Sequence, residues 1–241
     1  MSDSIRINLH GHSQLSDGEL APDQLAERMA AAGARAAALT DHDTIEGLPA
    51  FREALLRRGV GFIAGVELTV VDPEEGEKHI LGYGFDPENR RLKDLLGRAA
   101  GNRRPPYLQA LSSAFDRSRA AAERTAAAGG RAAAVPAAEA IRILHEAGGL
   151  AVLAHPVVPG QKPDLAALER LVARLKAQGL DGLEAFYAGY PAALSRDLVA
   201  LAGRHGLLVS AGSDFHGAGL PGSQDLAMDL PLPLWRGFRD G

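Results

Sequence analysis

IRINLHGHSQLSDGELAPDQLAERMAAAGARAAALTDHD, residues 5–43, holds one complete structural unit. The apolar run Ile5–Leu9 has the length of a strand, Pro22–Ala32 repeats its apolar residues at the three- and four-residue spacing of a helix face, and Ala36–Leu39 is a second run. Pro22 suits the first turn of that helix and Gly33 the left-handed residue that closes it. A strand, a helical crossover and a strand make the two strands parallel neighbours. Residues able to bind metal fall where the runs end. His10-Gly11-His12 and Ser16-Asp17-Gly18 follow the first run, and Thr40-Asp41-His42-Asp43 follows the second.

The same alternation continues along the chain. Further strands are expected at Phe62–Val66, Ile80–Tyr83, Leu150–Ala154, Gly182–Phe186 and Leu207–Ala211, with helices at Ile45–Arg58, Pro136–Ala147, Leu165–Gln178 and Pro191–His205. Pro136 and Pro191 suit first turns, and Gly59, Gly148, Gly179 and Gly206 suit helix ends. Repeated strand and helix point to a parallel sheet or barrel. The pair Phe62–Val66 and Ile80–Tyr83 is too closely spaced for a crossover, so an antiparallel hairpin breaks the repeat. The expected architecture is α/β, a distorted seven-stranded barrel. Residues 1–97 and 136–241 form it, and 98–135, with Arg103-Arg104-Pro105-Pro106 and Ala-rich stretches, is a short helical insertion or lid.

A chain of 241 residues suits one large core. Apolar residues at 46% and charged residues at 23% are ordinary for a globular protein, and a net charge of -4 gives no broad attraction to duplex DNA. With no cysteine, any metal is held by nitrogen and oxygen. The N-terminus resembles no cleavable leader and no run reaches the roughly 20 apolar residues that span a bilayer, so no membrane partner and a cytoplasmic address are expected.

His10 and His12 flank one residue on an extended segment and therefore project to one side. Such a pair alone is a weak signal, but six more clusters at strand ends strengthen it: the two already quoted, Gly65-Val66-Glu67, His79, Ala154-His155-Pro156, and Ser213-Asp214-Phe215-His216. Glu67 lies between Val66 and Leu68, where an unpaired carboxylate would be costly, and Asp214 follows the last run; both are placed to bridge adjacent cations. Asp41 is read as orienting a ligand histidine from behind. Asp43 is read as a helix cap. His155 precedes proline and is expected to be extended. His145 and His205 sit on expected helices without chemical company and are left out of the site.

These motifs, with His79-x-x-Gly82 and Gly212-Ser213-Asp214-x-His216, resemble in order those of the polymerase and histidinol phosphatase (PHP) family, over about the first 87 residues and from Pro136 to about Gly222. The resemblance implies a distorted (β/α)7 TIM-like barrel with two or three divalent ions (Mn, Fe or Zn) at the strand C-termini. It assigns His10, His12, Glu67 and Asp214 to one ion, Glu67, His79 and His155 to a second, and Asp17, His42 and His216 to a third. It further implies hydrolysis of phosphomonoesters, the chain being most similar to small bacterial phosphoesterases acting on nucleotides, such as nucleoside 3′,5′-bisphosphates, or on short oligonucleotides. Asp17, His42 and His216 are then the catalytic candidates. The residues after His155 lack the arginine often found in such relatives, so Arg98, Arg103 and Arg104 are the candidates for binding substrate phosphate.

Two other readings use the same ligands. An amidohydrolase-type enzyme would cleave amides, though such sites usually hold a bridging lysine and none follows a strand here. A metal-bound, non-catalytic binding module is the other.

Overall fold

The computed structural model describes residues 4–100, 134–157, 162–218 and 225–240. Seven strands run in sequence order around the sheet: β1 (Ser4–Asn8), β2 (Ala36–Leu39), β3 (Gly61–Asp72), β4 (Gly76–Tyr83), β5 (Leu150–Leu153), β6 (Gly182–Tyr187) and β7 (Leu208–Gly212). Parallel pairing joins β1 to β2, β2 to β3, β5 to β6 and β6 to β7, while β4 is antiparallel to both neighbours. Helices α1 (Pro22–Ala31), α2 (Leu48–Arg57), α3 (Arg90–Ala100), α4 (Ala137–Glu146), α5 (Leu165–Ala177) and α6 (Ala192–Arg204) supply the outer layer. The barrel is a distorted TIM-like one, as the alternation implied.

Each expected helix is present, and Gly33, Gly59, Gly148, Gly179 and Gly206 all have positive φ at its end. Pro22 is the first helical residue, whereas Pro136 and Pro191 stand one position earlier, as extended caps. Helix α2 begins at Leu48 rather than Ile45 because a separate turn precedes it, closed by Leu48 N–H donating to Ile45 O at 3.2 Å. Helix α3 passes through position 98, burying Leu92, Leu95, Leu96 and Ala99, so this end of the expected insertion is part of the outer layer. The remainder of that segment, with Arg103 and Arg104, lies outside the described residues.

The hairpin is longer than the apolar runs suggested. Strand β3 spans twelve residues, so Glu67 lies within a strand and not at its end. Because β4 runs backwards, His79 near its start reaches the same rim as residues at the ends of the parallel strands.

Two elements have no counterpart in the expected pattern. Strand β8 (Met228–Pro231) pairs antiparallel with β1, and α7 (Leu232–Asp240) follows it. They occupy the lower half of the seam between β1 and β7. In the upper half the two strands meet directly, through Leu9 N to Ala211 O at 3.0 Å, Asp214 N to His10 O at 3.0 Å and a parallel bridge between Gly11 and Phe215. The barrel therefore closes tightly only at the rim that carries the histidines. Among the described residues, no helix is long and apolar enough to cross a membrane.

Candidate metal centre

The seam brings the first and last motifs together. The His10 and His12 Nε2 atoms lie 3.2 and 3.1 Å from Glu67 Oε2, and 3.2 and 3.0 Å from Asp214 Oδ1. Gly11, between the two histidines, is locked by Thr40: its N–H donates to Thr40 Oγ1 at 3.0 Å and its carbonyl accepts from Thr40 N at 3.0 Å.

The other oxygen of Glu67 faces elsewhere. Oε1 is 2.8 Å from His79 Nδ1 and 3.0 Å from His155 Nε2, and these two nitrogens are 3.2 Å apart. One carboxylate thus serves two neighbouring sets, the arrangement that holds a pair of ions. A third set surrounds Asp17, with His12 Nδ1 at 3.6 Å, His42 Nε2 at 3.7 Å and His216 Nε2 at 3.3 Å. His42 also faces inward, Nδ1 lying 3.4 Å from Glu67 Oε2, and so stands between the sets. Eight of the nine residues named from the motifs fall into three groupings: His12, Asp17, His42 and His216; His10, His12, Glu67 and Asp214; and His42, Glu67 and His79. The donor atoms of each grouping lie within 4.8 Å of one another, and His155 joins through Glu67 Oε1.

The donor set fits divalent ions. Donors about 2.0–2.2 Å from a tetrahedral ion stand about 3.3–3.6 Å from each other, close to the spacings here. Neither ring nitrogen of His12, nor Asp214 Oδ1, has a hydrogen bond of sound geometry among the described residues, although all three are buried. Buried polar atoms without partners call for an ion or another charged occupant.

Proton affinities reflect the crowding. Burial opposes protonation of His12, but the carboxylates of Asp214 and Glu67, 3.0 and 3.1 Å from Nε2, outweigh it and raise its pKa to about 10. Burial of His42, unrelieved by the pull of Glu67 and reinforced by His12 and His79, lowers it to about 3. Against the effect of burial, the surrounding histidines hold the carboxyls of Glu67, Asp214 and Asp17 well below the usual range.

Three expectations need correction. Asp41 orients no histidine: its carboxylate accepts from Ser13 N at 2.6 Å, Ser13 Oγ at 2.7 Å and Ser16 Oγ at 2.7 Å, fixing the loop that carries His12 and Asp17. Asp43 caps no helix, since α2 starts later; with φ at 52° it accepts from Thr69 N at 2.9 Å and ties its loop to β3. His155 is not extended. Its φ is 22°, because its N–H turns inward to Glu184 Oε2 at 2.8 Å while its ring reaches Glu67. Arg98 lies on α3 and pairs with Glu139 of α4 at 2.6 Å, and the structure does not bring it into the cluster. His145 and His205 stay outside, paired with Asp181 and Glu169.

Three supporting residues escaped the sequence reading. Glu184, buried on β6, receives His10 Nδ1 at 3.0 Å. Asn8 accepts from His10 N at 3.2 Å and Ser213 N at 3.1 Å, pinning the seam. Tyr187 Oη donates to Asp214 Oδ2 at 2.8 Å. Glu184 had a signal, a lone acid within the apolar run Gly182–Phe186; Asn8 and Tyr187 had none.

Several known proteins are similar to this chain. The PHP domain family model matches residues 8–126. The phosphoribosyl 1,2-cyclic phosphate 1,2-diphosphodiesterase of Eggerthella lenta is 31% identical, covering 87% of this chain and 94% of its own. The 3′,5′-nucleoside bisphosphate phosphatase of Chromobacterium violaceum is 31% identical, covering 95% of each. Among solved structures, an amidohydrolase from Chromobacterium violaceum with bound sulfate and no metal is 28% identical, with TM-score 0.75 over 97% of this chain and 96% of that one. A candidate metal-dependent phosphoesterase from Bifidobacterium adolescentis is 29% identical, with TM-score 0.70 over 89% and 88%.

Proposed function

This chain belongs to the PHP domain family, and on that premise we propose that it is a metal-dependent phosphoesterase acting on phosphomonoesters of nucleotides, nucleoside 3′,5′-bisphosphates foremost, or on short oligonucleotides. The observation that carries this reading is Glu67, whose two oxygens face two separate sets of histidines. His10, His12, Glu67 and Asp214 would hold one ion, Glu67, His79 and His155 a second, and Asp17, His42 and His216 a third, with manganese, iron or zinc suited to nitrogen and oxygen donors. When bound, such ions supply positive charge to phosphoryl oxygens and acidify a water near neutral pH.

The chain's own residues account for the remainder. Oxygen from water forms its bond to phosphorus as the ester bond breaks, and a proton reaches the leaving oxygen; no serine or cysteine nucleophile is needed. His216 donates its Nδ1–H to Asp214 O at 2.9 Å, which leaves the Nε2 lone pair beside Asp17 to hold an ion or to accept a proton. His10, His12 and Glu67 are wholly buried, whereas Asp17, His79, His155 and His216 keep 15–27% exposure, so substrate enters from their side. A recessed centre of this kind favours a terminal phosphate or a single-stranded end over duplex DNA. A cytoplasmic address accompanies this reading.

Amide hydrolysis has less support. Lys78, next in sequence to His79, turns its Nζ to the carbonyls of Glu75 and Glu77, and the bridging position belongs to Glu67. A panel comprising a nucleoside 3′,5′-bisphosphate, p-nitrophenyl phosphate and an anilide amide tests the assignment. Phosphate release that falls roughly 100-fold or more in Asp17→Asn is expected. Turnover of the anilide alone would overturn the reading, and metal binding without any turnover would favour a non-catalytic module.

A further inference from the structure

We infer that Glu184 is a positioning residue that couples two of the ligand sets from behind, a role that rests on the metal-centre reading above. Glu184 is wholly buried on β6, and among the described residues its only ion-pair partner is His10. Its carboxylate reaches both sets, Oε2 lying 3.2 Å from His10 Nδ1 as well as beside His155. Oε1 accepts from His10 Nδ1 at 3.0 Å, which fixes the proton on that nitrogen and presents the Nε2 lone pair 3.2 Å from both Glu67 Oε2 and Asp214 Oδ1. Oε2 accepts the backbone N–H of His155 at 2.8 Å and so receives the amide of a residue held at φ 22°. That backbone sets the His155 ring 3.0 Å from Glu67 Oε1.

Glu67 therefore joins the two sets from the front and Glu184 joins them from the rear. Both jobs require an acceptor; a carboxylate accepts both bonds with charge assistance, whereas a neutral amide weakens them and turns an NH2 donor toward the same N–H groups. Strand β7 leaves the space: a Cβ on Gly212 would fall 2.9 Å from Glu184 Oε1 and 2.1 Å from His10 Cβ. The consequence is specific. Replacing the carboxylate of Glu184 by a neutral amide weakens both of these bonds and with them the ions held through His10 and through His155, although Glu184 touches neither ion.

The experiment is a cobalt(II) titration of chelator-stripped protein, followed by visible absorption and by competition with a chromophoric chelator, for wild type and Glu184→Gln. Metal affinity at both sets is expected to fall roughly 10- to 100-fold, with an altered cobalt spectrum and a stripped-protein melting temperature near that of wild type. Unchanged affinity and spectrum in Glu184→Gln would overturn the inference, as would weakening confined to one ion. If Glu184→Gln does not fold, Glu184→Asp keeps the charge but shortens the reach and is judged by the same two outcomes. A wild-type protein that takes up no cobalt would instead sink the metal-centre reading itself.

Discussion

Glu67 and Glu184 are both fully buried, each flanked in its strand by apolar residues, where an uncompensated carboxylate costs several kcal/mol. In the stripped centre that compensation comes from protonated histidines, which has a consequence for pH. His12 holds its proton up to about pH 10, and the ring must lose it to bind an ion. Metal uptake should therefore release protons, and apparent affinity should rise as pH climbs toward that value; isothermal titration in buffers of different ionisation enthalpy measures the release, and a proton-neutral uptake would contradict it. The sign for stability is opposite: because the folded pKa of His12 exceeds its ordinary 6.5, its contribution to the stripped fold is complete below about 6.5 and lost as pH rises through about 10. Asp41 tests a different residue. Deleting its three short hydrogen bonds in Asp41→Ala should cost about 2–4 kcal/mol in urea unfolding, and a loss under about 1 kcal/mol would deny it the anchoring role. At this scale the gathering of the histidines was legible because they cluster at strand ends. Glu184 could have been read by the logic that marked Glu67, whereas Asp41 and Asp43 were misread because sequence alone does not show which loop a carboxylate faces.

The loop between His12 and Glu19 shows how an element places a candidate ligand, Asp17. A Cβ on Gly18 would fall 2.1 Å from the His12 carbonyl oxygen and 2.5 Å from its carbon, both backbone atoms that cannot step aside as a side chain can. Gly18→Ala should therefore displace Asp17 from His42 and His216. We expect at least roughly tenfold weaker binding at the third set, with the sets around Glu67 retained. Metal equivalents counted by elemental analysis after dialysis check this, and an undiminished count would contradict it. Helices and their closing glycines were readable from periodicity and turn chemistry. The reversed β4 was readable from a connection too short for a crossover, but the full length of the hairpin was not, because Leu68 and Val70 continue the strand beyond the expected run. Strand β8 and α7 were not readable. Only Leu230 of β8 is buried, which leaves no periodic signal, and Pro231 and Pro233 look like breakers.

Over the whole molecule, the histidines and acids of seven strands and their following loops converge on one rim, and the seam there is tied by Asn8, Ser213 and Asp214. An ion held by His10, His12 and Asp214, as proposed, would cross-link the first and last strands. Bound metal at 100 times its dissociation constant stabilises the fold by about 2.7 kcal/mol. Stripping the metal should thus lower the melting temperature by about 5–10 °C for a chain of this size, as differential scanning calorimetry would register. A melting temperature indifferent to metal would argue against ions that span the seam. The broad fold was legible at this scale because alternating strands and helices admit few closed arrangements. The uneven closure was not, because it depends on an unforeseen eighth strand. The most direct test of the central claim is phosphate release from a nucleoside 3′,5′-bisphosphate by chelator-stripped protein titrated with manganese, beside His10→Ala. The account predicts turnover that appears with bound metal and is lost in the variant. Equal turnover by stripped and loaded protein, or by His10→Ala, would contradict it.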